Sequence, residues 1–515
     1  MMKKRQIINI INFIRGCDPF GWLDLETSVK EQIKLMKKHC LRGTFLIMYD
    51  ALINPTFVDM VKDLDPAQFE LGVWFELDKS LVERAGGEWK GRFPWDWHPN
   101  CGFAIGYSKE IREKMVDELY EKFKDTFGYY PRVVGSWLLD SHSVRYIVEK
   151  YGVDAMCNCK EQFGTDGYTL WGGYYGQAYY PGRNNVFVPA QTADEQLDVP
   201  IFRMLGSDPV YQYDLGLDPE LGANQIQTVI SLEPVYSAAA DVVGGGVPEW
   251  VDWFMKENFN GDCLSFGYAQ AGQENTFGWD KMRDGLIYQF AEFERLQNEG
   301  KIEVETIGET GRWFKETFAA TPASAITAHT AYDDSDRNSV WYSSKYYRIN
   351  LFGDHGKLRI RDMHVFSSKQ ADTYDTVLCP GTQATYETLP VVDGNRHTGK
   401  GIVGGGYLTY ADGTEPLFEE MTFTDNGNGS ATVTYGDVSF LLCENSIRIK
   451  ADKPFRIDAR VGMKDHLPSV IEMSDTKLLL EYIGTRYSLC LKNGKFDGEK
   501  AVISDGSVVE VYFEV

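Results

Sequence analysis

The chain has 515 residues, too many for one ordinary domain, so two or three are expected. Its 43% apolar and 25% charged residues are those of a globular protein, and no run approaches the apolar length of a membrane span. With 75 acidic against 52 basic residues the formal net charge is −23, which argues against nucleic acid or an anionic membrane surface as partner.

The start, Met1-Met-Lys-Lys-Arg, resembles a secretory signal, but Gln6, Asn9 and Asn12 interrupt the apolar run and no small-residue cleavage site follows. A first β-strand, Gln6 to Arg15, is the better reading, ending in Gly16-Cys-Asp-Pro19. Nine scattered cysteines point to reduced thiols and a cytoplasmic location, and the spacing in Cys157-Asn-Cys159 is too short for zinc. Ser28-Val-Lys-Glu31 reads as a capping box, opening a helix with Val29, Ile33, Met36 and Cys40 on one face and His39 solvated. Strands are expected at Gly43 to Tyr49 and Phe69 to Glu76, with a Pro55-initiated helix between them.

The clearest helix is Ser108 to Phe127, where Ile111, Met115, Leu119, Phe123 and Phe127 recur every four residues and Gly128 closes it. Arg132-Val-Val then leads into Gly135-Ser-Trp-Leu-Leu-Asp-Ser-His142, a strand end turning into a helix with Ser141 as N-cap and Gly152 as stop. Further strands are expected at Val153 to Cys157, Pro200 to Leu205, Cys263 to Gln270 and Lys301 to Thr306. Helices are expected at Trp279 to Asn298 and up to about Phe318. Seven or eight strand-plus-helix units predict a distorted parallel (β/α)7 barrel over residues 1–320.

Thr321-Pro-Ala-Ser-Ala reads as the linker, with the boundary between Phe318 and Asn338. Beyond it, Tyr346 to Phe352 and Lys357 to Arg361 alternate with period two. Asp425-Asn-Gly-Asn-Gly, Lys492-Asn-Gly-Lys and Ser504-Asp-Gly-Ser read as hairpin turns. Residues 321–515 are therefore predicted to form an antiparallel β-sandwich.

Eleven of the twelve tryptophans precede the linker, so the ligand face is sought there. Two loops concentrate flat rings: 89–98, with Trp95, and 160–182, with Tyr168, Trp171, Tyr174, Tyr175 and Tyr180. Rings with polar handles suit stacking against a sugar, so a carbohydrate is the expected partner, and at least two of those five are expected at the barrel mouth. Asp18, Glu76, Asp140 and Glu274 fall at strand ends, Asp208 follows the run ending at Leu205, and Glu233 sits in Ser231-Leu-Glu-Pro-Val-Tyr. Carboxylates converging on one mouth push each other's pKa values apart, as paired acid/base chemistry needs. Oxygen ligands with a histidine could instead bind a divalent ion, but only His39, His98 and His142 lie in the barrel half and none has a His-x-x-x-His partner. No phosphate-binding glycine loop and no Gly-x-Ser-x-Gly elbow is present.

The strand-helix order, with Leu41-Arg-Gly-Thr-Phe-Leu46 on the second strand, resembles the glycoside hydrolase/deacetylase superfamily of seven-stranded β/α barrels. Gly135-Ser-Trp-Leu-Leu-Asp140 is similar to the fourth-strand motif of family-fifty-seven glycoside hydrolases, whose closing acid is the nucleophile. Gln273-Glu-Asn-Thr-Phe-Gly278 resembles their later acid motif, and Cys17-Asp-Pro19 lies where that family has His-Gln-Pro. The whole chain also resembles bacterial proteins that join such a barrel to a C-terminal β domain. The family's Glu nucleophile would be Asp140 here and its Asp acid Glu274, and the paired histidines of the deacetylase branch are missing.

The resemblance implies a carbohydrate-active hydrolase, a retaining glycosidase with Asp140 as nucleophile and Glu274 as acid/base at the higher pKa, working without a cofactor. Asp18, Glu76, Trp95, Asp96, His98, His142, Tyr168, Trp171, Tyr174, Asp208, Glu233 and Gln273 would bind substrate or tune that pair. Two alternatives stand beside it: a divalent-metal-dependent deacetylase using Asp18, His98 or His142, and a carbohydrate-binding protein without catalysis.

Overall fold

The structure, a computed structural model, describes residues 4–159, 161–204, 206–222, 230–235, 243–418 and 420–515. Its first part is a curled, parallel-rich sheet. The parallel strands are β1 (Gln6–Ile14), β2 (Gly43–Ile47), β3 (Phe69–Trp74), β4 (Val133–Gly135), β5 (Ala155–Cys159), β6 (Ile201–Met204), β7 (Gly267–Ala271) and β8 (Glu303–Glu305). They pair in the order β7-β1-β2-β3-β4-β5-β6, with β8 beside the first half of β1 and Ala178–Tyr179 antiparallel on β6. Where a closed barrel is expected, the sheet is a curled half-barrel whose edges β6 and β7 form no ladder among the described residues, although Gly206 N–H donates to Gln270 C=O at 3.2 Å between them. Leu205, part of the predicted sixth strand, lies outside the described residues.

β1 is buried at all nine positions, which suits a strand covered on both faces. Its interrupting asparagines are paired: Asn9 donates to Thr310 Oγ1 at 2.8 Å, and Asn12 Oδ1 accepts from the Gln273 amide at 3.2 Å. Helices α1 (Leu25–Lys38), α2 (Lys109–Phe127), α3 (Ser141–Tyr151), α4 (Pro248–Asn258), α5 (Trp279–Asn298) and α6 (Ile307–Thr317) pack around the sheet. Two start signals are corrected. Asp24, not the Ser28 box, caps α1, and Asp140, not Ser141, caps α3, because a carboxylate one residue before the first turn reaches its amides directly. His39, expected to be solvated, is buried with Nδ1 at 2.7 Å from Glu294 on α5.

After Thr317 the next element is the strand Ser324–Ala328, and no α-helix follows among the described residues. Two antiparallel sheets, of nine and eight strands, enclose an aliphatic core. Asp425-Asn-Gly is a hairpin turn, but Asn493-Gly494 and Asp505-Gly506 carry the chain from one sheet to the other. A short third sheet joins the halves: the hairpin Gln162–Thr165 and Tyr168–Trp171 takes Ala384–Glu387 as a parallel neighbour. Above it Arg348 donates to Glu161 Oε1 at 2.7 Å and to both oxygens of Asp362, all of them buried.

Candidate active site

A cleft of about 570 Å³ opens at the C-terminal ends of the parallel strands. Five of the strand ends contribute a side chain: Arg15 after β1, Glu76 after β3, Trp137 after β4, Gln162 after β5 and Glu274 after β7. Asp166 and Glu233 from loops and Lys281 from the start of α5 complete its charged lining. Asp166 and Gly167 both have positive φ, 51° and 84°, in the tight turn of the 162–171 hairpin. A Cβ on Gly167 would meet Thr382 C=O at 2.1 Å, so this turn admits only glycine there. Glu233 is held through its neighbour: Gln289 of α5 donates to Leu232 C=O at 3.0 Å and to Gly245 C=O at 2.7 Å.

Arg15 is the centre of the charge pattern. Its guanidinium is buried and donates to Glu76 Oε2 at 2.6 Å and to Thr276 Oγ1 at 2.9 Å, and it pairs with Glu274. It lies over the Trp95 ring at 4.1 Å. Glu76 is fully engaged, accepting also from Trp74 Nε1 at 2.8 Å and Trp95 Nε1 at 2.9 Å. A buried charge needs this density of partners.

The other carboxylates differ from Glu76 and from each other. Burial raises the Glu274 carboxyl above its ordinary value, and Arg15 and the Thr276 hydroxyl pull it back only in part. Glu233 has burial without that compensation: with Glu274 and Asp166 as negative neighbours, its pKa is pushed up to about 8. Asp166, exposed at the cleft wall, is raised by partial desolvation in the cleft and by Glu76, against Arg15 and His98. Among the described residues, neither the Glu233 nor the Asp166 carboxylate has a hydrogen-bond or ion-pair partner. One carboxyl thus holds its proton at neutral pH beside another that carries a guanidinium counter-charge, which is the asymmetry acid/base chemistry uses.

The same architecture occurs in a solved structure. A candidate glycoside hydrolase/deacetylase from Parabacteroides distasonis superposes with a TM-score of 0.54 at 13% identity, covering 75% of this chain and 91% of that one. The chain shares the fold of that protein. Lower similarity is found to a candidate polysaccharide deacetylase from Mycobacterium smegmatis (TM-score 0.36, 11% identity, 61% of this chain and 91% of that one). A GH57-type branching enzyme from Pyrococcus horikoshii scores 0.34 at 11% identity, over 62% of this chain and 71% of that one. No protein-family model matches the chain, and no curated protein matches it.

Within this fold, the cleft brings together Glu76, Trp95, Tyr168, Glu233 and Glu274 of the residues singled out from the sequence. Asp140 is not among its lining residues. Its carboxylate accepts from the Ser143 amide at 3.0 Å and from buried Arg112 at 2.8 Å, so the expected Asp140–Glu274 pair does not share one cavity. The capping role prevails because Asp140 directly precedes α3, leaving Trp137, two residues past β4, to reach the cleft.

His142 pairs with Glu113 at 2.9 Å on the helix side, and Asp208 spends both oxygens on the Val210 and Tyr211 amides and on Trp250 Nε1. Of the five rings in loop 160–182 expected at the mouth, only Tyr168 lines the cleft. Trp171 donates to Asp393 at 2.8 Å, Tyr174 to Pro322 C=O at 2.7 Å and Tyr180 to Phe318 C=O at 2.8 Å, and Tyr175 stacks on Trp341. Trp171, Tyr174 and Tyr175 thus seal the contact with the C-terminal part, a partner that sequence periodicity leaves unplaced, while Tyr180 packs on Phe314 of α6.

Three residues act just behind the lining. Asp96 accepts from Arg92 and His98; burial pushes it up, but those bonds outweigh burial and hold it below the ordinary range. Gln273 Oε1 accepts from the Glu274 amide at 2.8 Å, and Asp18 accepts from the Phe20 and Leu23 amides. The metal reading finds no donor set: His98, His142 and Asp18 are committed to separate partners, and no three His, Cys, Asp or Glu side chains group to hold an ion among the described residues. Sequence reasoning missed Arg15, Asp166 and Trp137; Asp166-Gly167, a hairpin signal, was the legible one.

Proposed function

We propose that this protein is a carbohydrate-active hydrolase, a retaining glycosidase in which Glu233 is the acid/base and Glu274 the nucleophile. The observation that carries the reading is the split between these two carboxyls: Arg15 lies on Glu274 and not on Glu233, so the guanidinium favours the charged form of Glu274 while Glu233, without a cation, is the one that would keep the proton. Glu233 would donate its proton to the departing glycosidic oxygen while a Glu274 oxygen bonds to the anomeric carbon. Water, deprotonated by Glu233, would then displace Glu274 and restore both groups. Glu76, locked by two indoles and Arg15, would position Arg15 rather than react. Trp95, Trp97, Trp137 and Tyr168 offer flat faces to the sugar. Residues 1–320 would form the catalytic unit and 321–515 the β domain that seals its aromatic loop.

The test is hydrolysis of a panel of aryl glycosides and oligosaccharides, with the first-formed anomer read by proton NMR. Retention of configuration, with Glu274→Gln inactive and Glu233→Gln slow on poor leaving groups, is the expected result. Full activity of Glu274→Gln, or an inverted product, would remove the assignment.

A further inference from the structure

Trp22 is the most exposed large hydrophobic side chain among the described residues, at 75%, and Phe20 beside it is 46% exposed. Both line the mouth of the same cleft as Glu233 and Glu274. They end a connected run of rings. Trp95, on Arg15, has its centroid 6.0 Å from Trp97; Trp97 lies 6.0 Å from Phe20; and Phe20 stacks on Trp22 at 5.0 Å, 19° from parallel. Exposure rises along the run, from buried Trp95 through half-buried Trp97 to Trp22 in solvent.

The outer rings are held in place. Asp18 accepts from the Phe20 amide at 2.7 Å and from the Leu23 amide, and Gly21 between the rings has φ +78°. Asp24 then caps α1, so the loop runs from one fixed point to another. Exposed aromatic rings fixed at a cleft mouth form a binding surface ready for a ligand with flat apolar faces. A net charge of −23 and a carboxylate-lined cleft disfavour a polyanion there.

We infer that Phe20 and Trp22 form an outer sugar-binding platform, and that the substrate is an oligosaccharide or polysaccharide chain running from the carboxylates along Trp97 to Trp22. This inference rests on the glycosidase reading of the cleft. Pyranose rings present C–H faces to the indole and phenyl planes and leave their hydroxyls to water, so successive sugars stack on successive rings. The platform adds affinity only when the chain is long enough to reach it.

The test uses the full-length Glu274→Gln protein, which on this reading binds without turnover, and calorimetric titration with cello-, malto-, xylo-, manno- and chito-oligosaccharides of increasing length. In at least one series affinity should rise with length, and adding Phe20→Ala and Trp22→Ala should cut the long-to-short affinity ratio about tenfold. The longest glycan should also shield Trp22 from iodide quenching. A ratio unchanged by the two substitutions, or affinity independent of length, would overturn the platform and leave the glycosidase reading standing. Absence of both binding and hydrolysis of every glycan would overturn both. Both side chains are solvent-facing, so their removal leaves the core intact, which circular dichroism checks.

Discussion

Arg15→Met removes the one cation between Glu76 and Glu274 while keeping the apolar bulk under Trp95. All three charged groups are buried, so solvent does not screen the loss. A unit charge pair is worth about 4 kcal/mol at 4 Å with an effective dielectric near 20, and stranding buried partners costs about 3–5 kcal/mol net. The penalty depends on pH. Arg15 now pulls the Glu274 pKa down against burial; without it that folded-state pKa rises further above the unfolded value. A carboxyl raised in the folded state favours folding at low pH and loses that advantage as pH rises, so the variant's deficit is greatest near pH 8 and shrinks towards about pH 5. Urea unfolding followed by tryptophan fluorescence reports this region directly, since eleven of twelve tryptophans precede residue 321. Adding Glu274→Gln should restore part of the loss, because it removes one stranded charge. A midpoint equal to wild type at neutral pH, or a deficit independent of pH, would refute the buried ion-pair account.

Glu233→Gln should slow hydrolysis of substrates with poor leaving groups by about 10²–10⁴ and affect activated ones far less. Wild-type activity should fall as pH rises through about 8, where Glu233 loses its proton, and the variant's pH–rate profile should lack that limb. Asp140→Asn should lower stability by about 3 kcal/mol by leaving buried Arg112 unpaired, with turnover per folded molecule unchanged; lost turnover at full stability would return Asp140 to the chemistry. Arg348→Met should cost about 3–5 kcal/mol. Because Glu161 and Asp362 belong to different halves, tryptophan fluorescence and β-sheet circular dichroism should shift together.

Periodicity and capping made most of the secondary structure legible from the sequence. Trp279–Asn298 and the glycine stop after Phe127 are local statements, set by side-chain spacing and backbone freedom within a few residues. The change from helical to alternating pattern near residue 320 is equally local. The carboxylates at strand ends, Glu76 and Glu274, were legible because parallel architectures put chemistry at that edge. Which of them face one cavity was not. Asp140 and Glu274 both sit at such ends, but Asp140 lies within reach of the α3 amides and Arg112, 28 residues upstream, while Glu274 meets Arg15 from the opposite end of the chain region. Trp171 and Tyr174 show the same limit: their partners, Asp393 and the Pro322 carbonyl, lie far along the chain. The sequence specifies what each residue can do with its neighbours; only tertiary packing decides which distant charge or ring it meets, and that meeting sets its pKa, its burial and its role.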